Sequence, residues 1–176
     1  MFDHQIKELF LRYGLENHFP VDPFLIASKE KIIVFHSDCE FSDRFGMIRK
    51  SKHQGIIFYL ASNWDLTHQR FFLAHLLAHF FLHLSDQEHV HMHCHITYAT
   101  DLGTTNRKEC EADEFARCLM IPEHFLNKCL TNKKSIAYIS QQLDVPQNQV
   151  HARIKQLKSE HSRNSSNHLL PKDNVG

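Results

Sequence analysis

The sequence has no excess of charge of either sign: its 176 residues carry 20 lysines and arginines against 20 aspartates and glutamates. That balance excludes a generally basic nucleic-acid binder, though not a local basic patch. A disulfide framework is also missing. The five cysteines, Cys39, Cys94, Cys110, Cys118 and Cys129, are odd in number, irregularly spaced and without a Cys-x-x-Cys pair. No apolar run reaches the roughly 20 residues that span a bilayer, so no membrane partner is expected. The opening MFDHQIKELF lacks a basic stretch followed by an apolar one and does not read as a signal peptide. There is no internal repeat. Together these absences point to a reducing, cytoplasmic setting. The length suits one compact domain with a core of its own and room for a small appendage. A hydrophobic content of 42% and a charged content of 23% are ordinary for a globular chain. What stands out is histidine, with 16 residues unevenly placed.

Residues 3–17 carry Ile6, Leu9, Phe10, Tyr13 and Leu15 close to helical spacing. DPFLIAS opens with Asp22 before Pro23, a helix-start signal. KIIVF, FGMIRK and GIIFYL read as three short strands, the last two joined by a hairpin loop at SKHQG. The expected order is helix, helix, then a small three-stranded antiparallel sheet. Residues 62–65 supply helix-start chemistry for a long helix to about Leu84, apolar on much of its circumference. A second patterned helix, Glu109 to Met120, stops near Pro122. The fold class expected is α+β.

The long helix contains HLLAH, with His75 and His79 four residues apart. At about 100° per residue they lie about 40° apart, one above the other on a single face. Two such imidazoles can point at one zinc ion at about 2.0–2.1 Å each. The HExxH motif of zinc peptidases works this way, with its Glu as general base and not as ligand. Here Leu76 stands where that Glu would be. Losing the Glu removes the base and not the metal site. Thirty residues after His79, ECEADEFARCLMIP places Glu109 and Asp113 four apart on the next helix. Glu109 is a candidate third ligand. Asp113 can accept a hydrogen bond from the outer nitrogen of a metal-bound His and fix its tautomer.

RFFLAHLLAHFFLH (Arg70 to His83) followed by ECEADEFARCLMIP (Glu109 to Pro122) resembles the ImmA/IrrE family of metallopeptidases. Members typically read F-T-x-A-H-E-x-x-H-x-x-x-H and then E-x-x-A-(N/D)-x-F-A-x-x-L-(L/M)-x-P. The likeness extends upstream through VDPFLIA and the strand pattern, over roughly residues 1–122. It implies a zincin-like, gluzincin-type zinc domain. Characterised members cleave a helix-turn-helix repressor, so a repressor-type protein partner is implied. By position, His75, His79 and Glu109 take the metal roles and Asp113 the outer one. His83 continues the row and, by the resemblance, lies outside the metal site.

Leu76 cannot accept a proton. General acid–base catalysis contributes roughly a hundred- to ten-thousand-fold, so peptide hydrolysis is expected to be impaired. The first expectation is therefore a zinc-binding pseudopeptidase that binds a regulatory partner. An active peptidase using Glu88 or Glu111 as an unusual base is the alternative, and Leu76 as an introduced change another.

Two further segments invite chemistry. His89, His91, His93 and His95 alternate with Val90, Met92, Cys94 and Ile96. In a strand all four imidazoles share one face and could take a second metal, with Cys94 joining if the chain bends. An exposed loop without such a role is the plainer reading. SIAYISQQLDVPQNQVHARIKQL resembles a helix-turn-helix, with a turn at residues 144–146. Packing on the main domain is one reading; a DNA-binding regulator acting through residues 135–157, with Arg153 as a contact, is another. The chain divides on this reading into a domain at 1–122, a packed helical segment at 123–157 and a disordered tail at 158–176.

Overall fold

A computed structural model describes residues 2–16, 18–38, 46–84, 90–94 and 107–167, the side chains of 91, 93 and 161–167 excepted. Helix α1 (Asp3–Tyr13) buries Ile6, Leu9 and Phe10 on one face. It stops at Gly14, whose φ of 69° lets its N–H turn back to the Leu11 and Phe10 carbonyls. Helix α2 (Pro23–Lys29) starts where Asp22 accepts from the Phe24 N–H at 3.0 Å.

Strands β1 (Ile33–Ser37), β2 (Gly46–Ser51), β3 (Gly55–Ala61) and β4 (Val90–Cys94) form one sheet in the order β1-β3-β2-β4. The α+β class is as expected, but the sheet is neither three-stranded nor wholly antiparallel. β2 and β3 form the expected hairpin, with Ser51 opposite Gly55. β1, however, pairs with β3 in parallel, Val34 opposite Phe58, and β4 adds antiparallel to β2. β3 thus lies between β1 and β2. The inner face of the sheet carries Ile48, Phe58, Leu60 and Cys94, all buried.

Under that face runs α3 (Leu66–His83), capped by Asp65, whose carboxylate accepts from the His68 N–H at 3.0 Å. Every residue from Phe71 to His79 is buried. A helix covered on all sides is what its apolar doublets require. The main partner of α3 is α4 (Arg107–Met120). No helix among the described residues is long and apolar enough to cross a membrane.

Three helices close the chain: α5 (Glu123–Thr131), α6 (Ile136–Leu143) and α7 (Gln147–Asn167). α5 had no clear sequence signal, because its two buried residues, Leu126 and Cys129, are too few to set a period. α7 runs ten residues beyond Leu157, so residues 158–167 are helical where a disordered tail was expected. Gln156 donates to Glu160 at 3.2 Å one turn on, which helps carry the helix past the apolar pattern. The hairpin shares the main core through Ile139, Leu143, Val145, Val150 and Leu157. Its turn is tied to the start of α3. Thr67 Oγ1 donates to Asp144 Oδ1 at 3.0 Å, and Arg70 Nε lies 2.9 Å from Asp144 Oδ2. Arg70 also donates to the Val21 carbonyl at 2.6 Å.

Arg153 departs most from expectation. It is 0% exposed, donates to the Ile121 carbonyl at 3.4 Å and pairs with Asp3 at 3.5 Å. A guanidinium so placed joins α7 to α1 and to the end of α4; it cannot reach a DNA phosphate, and its assignment as a DNA contact is withdrawn. Arg153→Ala would lose this packing and these bonds, costing about 2 kcal/mol, or about 4–8 °C in Tm for a chain of this size. Thermal unfolding followed by circular dichroism measures it; an unchanged Tm would mean the Arg153 ties contribute nothing.

Candidate metal centre

Helix geometry stacks His75 and His79 one turn apart on α3, and the α3–α4 contact sets Glu109 against them. One ligand atom from each of the three lies within 4.8 Å of the others. His75 Nε2 is 3.1 Å from His79 Nε2 and 3.1 Å from Glu109 Oε2; His79 Nε2 is 3.4 Å from Glu109 Oε1. His75 and His79 are 0% exposed and Glu109 3%. Sequence reasoning assigned these three residues and Asp113 to one place, and the structure brings all four together.

The hydrogen bonds around the cluster decide where its protons sit. A carboxylate can only accept. His75 Nδ1, 2.8 Å from Asp113 Oδ1, therefore carries the ring's proton, and in the neutral ring Nε2 is a bare lone pair. His79 is fixed by a longer relay. His83 Nε2 donates to Glu111 Oε2 at 3.1 Å, so in the neutral ring its Nδ1 accepts from His79 Nδ1 at 3.0 Å. That leaves His79 Nε2 bare as well. Two lone pairs and a carboxylate then converge with no hydrogen between them. Buried acceptors facing one another are unfavourable unless a cation lies among them. The donor set, two imidazoles and a carboxylate, suits a divalent transition metal.

A proton can take the same place. Burial works against a charge on His75, but Asp113 and Glu109 outweigh it and lift the ring above the ordinary imidazole range. Burial leads in pushing His79 down, against the pull of Glu109. For Glu109 burial pushes upward, but the His75 and His79 rings, when protonated toward it, outweigh burial and hold the carboxyl well below the usual range. One proton on His75 thus answers the same electrostatic demand that a metal ion would.

The surroundings are tight. Phe72 stacks on His75 with ring centroids 5.3 Å apart and planes 12° from parallel. Gly46 makes room for that ring: a Cβ there would meet Phe72 Cε1 at 2.4 Å. Leu76, in the general-base position, is 0% exposed. Asp113 is engaged by His75, and Glu111 by His83 and by Arg107 at 2.8 Å, so Glu111 sits behind His83 and away from the cluster. Glu88 lies outside the described residues. The His83–Glu111 relay was missed by sequence reasoning, although the i, i+4 step from His79 to His83 was its visible signal.

Of the histidine-rich segment, His89 and His95 lie outside the described residues, as do the side chains of His91 and His93. Residues 90–94 form β4, with His91 opposite Arg49 and His93 opposite Met47. Cys94 is buried on the core face of that strand, where burial and then the Glu109 charge push its thiol up. A place on the alternate face keeps Cys94 from joining a row of histidines at 91 and 93.

A zincin-like α+β domain with a His–His–Glu cluster able to hold a metal defines the class. A family model, that of the IrrE N-terminal-like domain of a peptidase family, matches residues 35–155. The chain belongs to this family, that of the ImmA/IrrE metallopeptidases. The match crosses residue 122 and includes α5 and α6, so the helical segment falls within the family's domain. No curated protein matches the chain.

Asp113→Asn should weaken zinc binding about 10–100-fold, the usual cost of losing an outer partner of a metal-bound His, measured by competition with a chelator. An unchanged affinity would show that Asp113 does not orient His75. Proton and metal compete for His75 Nε2, and the ring holds its proton above the ordinary imidazole range. Affinity should therefore rise from about pH 6 to about pH 8 and fall as pH is lowered. A flat profile over that window would remove His75 from the ligand set.

Proposed function

We propose that this chain is a zinc-binding, peptidase-like protein that holds a regulatory protein partner and does not cut it. The observation that carries this reading is Leu76, fully buried in the general-base position beside an otherwise intact cluster. His75, His79 and Glu109 would hold the zinc. When bound, zinc supplies Lewis acidity and lowers the pKa of a coordinated water. The remaining task is to take a proton from that water and deliver it to the leaving amine, and an alkyl side chain cannot do it. Apart from Glu109, the acids bonded to these histidine rings, Asp113 and Glu111, are already engaged on their outer sides. Family membership supports a repressor-type partner, since the resemblance is to proteins that act on helix-turn-helix repressors.

The active-peptidase alternative separates cleanly. Elemental mass spectrometry on tag-free protein should find about one zinc per chain, lost in His75→Ala and in Glu109→Ala. The native chain should form a stable complex with a co-expressed repressor without cleaving it. Leu76→Glu should gain zinc-dependent cleavage by roughly a hundred-fold or more, while Leu76→Ala, which opens the same space without a base, should not. Cleavage by the native chain that stops in His75→Ala would overturn the pseudopeptidase reading, and absence of zinc would overturn the metal reading.

A further inference from the structure

We propose that β1 is a self-association edge, through which two copies of this chain pair antiparallel and join their sheets into one. β1 ends the sheet order β1-β3-β2-β4, and among the described residues no strand lies beyond it. Natural proteins guard such an edge with lysine, proline, a bulge or a covering element. The strand IVFHS has no lysine, no proline and no acid, and its pairing with β3 runs without a bulge. It is instead apolar and open: Ile33 and Phe35 are each 55% exposed. Seven large apolar side chains are exposed among the described residues. Three of them, Leu25, Ile33 and Phe35, belong to β1 and to α2, the helix packed on it.

Backbone direction picks the register. The Ser37 carbonyl accepts from the Ser62 N–H at 3.1 Å, just past the end of β3, so residue 37 turns its peptide groups toward that strand. Along a strand this direction alternates. Ile33 and Phe35 therefore do the same, while Val34 and His36 aim N–H and C=O away from the sheet. On that side no backbone group among the described residues pairs with them. The Ile32 N–H is already taken by the Ala27 carbonyl at 2.9 Å. One two-fold register uses both open residues. An axis at Phe35 sets Val34 opposite the second copy's His36, and His36 opposite its Val34, each pair exchanging both hydrogen bonds. The two Phe35 residues then face each other as a non-hydrogen-bonded pair, the closer kind, with Cβ atoms about 4.5–5.5 Å apart. They lie on the outer face of the sheet, where Phe35 already meets Tyr59 edge-on with ring centroids 5.7 Å apart. Ile33 of each copy lies diagonal to Phe35 of the other, which completes an apolar cluster. Charge fits as well. Exposed Lys31 precedes the strand and exposed Asp38 follows it, so antiparallel pairing brings the positive end of each copy to the negative end of the other. A second copy meets all these conditions together, because the strand is complementary to itself.

The test is the mass of the full chain in solution, by light scattering after size exclusion. At about 100 µM it should be twice the 20.7 kDa of one chain, falling toward one chain on dilution. Phe35→Lys sets two ammonium groups face to face and should abolish the dimer at the same concentration. Its Tm should stay that of the native monomer, since residue 35 is exposed within one copy. Phe35→Cys should cross-link into a disulfide dimer under mild oxidation about ten-fold faster than Arg49→Cys, because pairing holds the two thiols at a millimolar effective concentration. Arg49 is exposed on the same face of the sheet but lies on β2, away from this edge. A monomer at about 100 µM, a dimer that persists in Phe35→Lys, or equal cross-linking at positions 35 and 49 would each overturn the proposal. So would a monomeric chain that holds the co-expressed repressor only while Phe35 is intact; the edge would then belong to an extended segment of that partner.

Discussion

Three proton acceptors meet in the interior of this protein. His75 Nε2, His79 Nε2 and the Glu109 carboxylate lie 3.1–3.4 Å apart with almost no contact with water. Such a convergence is tolerable only around a positive charge, and the architecture holds it in place. α3 supplies one pair of side chains by helical spacing, α4 supplies the third, and the contact between the two helices sets the distances. Phe72 presses on one face of His75, and Gly46 leaves the sheet close enough for it to do so. The two outer relays, Asp113 to His75 and Glu111 through His83 to His79, turn the nitrogens inward.

On the function proposed above, this arrangement separates metal binding from catalysis. The parts that hold a cation are complete and mutually supported. The part that would move a proton is replaced by an alkyl group packed into the core. A buried metal joining two helices contributes to stability whether or not it performs chemistry, because its binding energy is available to the folded state alone. A metal held there would cross-link α3 and α4 within the scaffold.

The C-terminal hairpin is joined to the same scaffold by polar ties as well as by apolar packing. Arg70 connects the α6–α7 turn to the start of the metal helix, and Arg153 connects α7 to α1 and the end of α4. These contacts engage Asp144 and bury Arg153.

Much of the site could be read directly from the sequence, because a helix converts spacing into direction. Four-residue steps put His75 above His79 and Glu109 above Asp113 wherever those helices go, and Asp22, Asp65 and Ser135 mark helix starts by purely local hydrogen bonds. The identity of residue 76 likewise needs no coordinates to exclude a carboxylate base. Strand order, by contrast, was decided by tertiary structure. β1 lies parallel to β3, and the neighbours of a strand are set by packing rather than by sequence order. The role of His83 depends on Glu111 arriving from another helix. The fate of Arg153 is the plainest case: the same residue on the same helix would be a surface cation if α7 were rotated by half a turn. Local pattern fixes which residues share a face, but only the packing of one element on another decides whether that face meets water or the core.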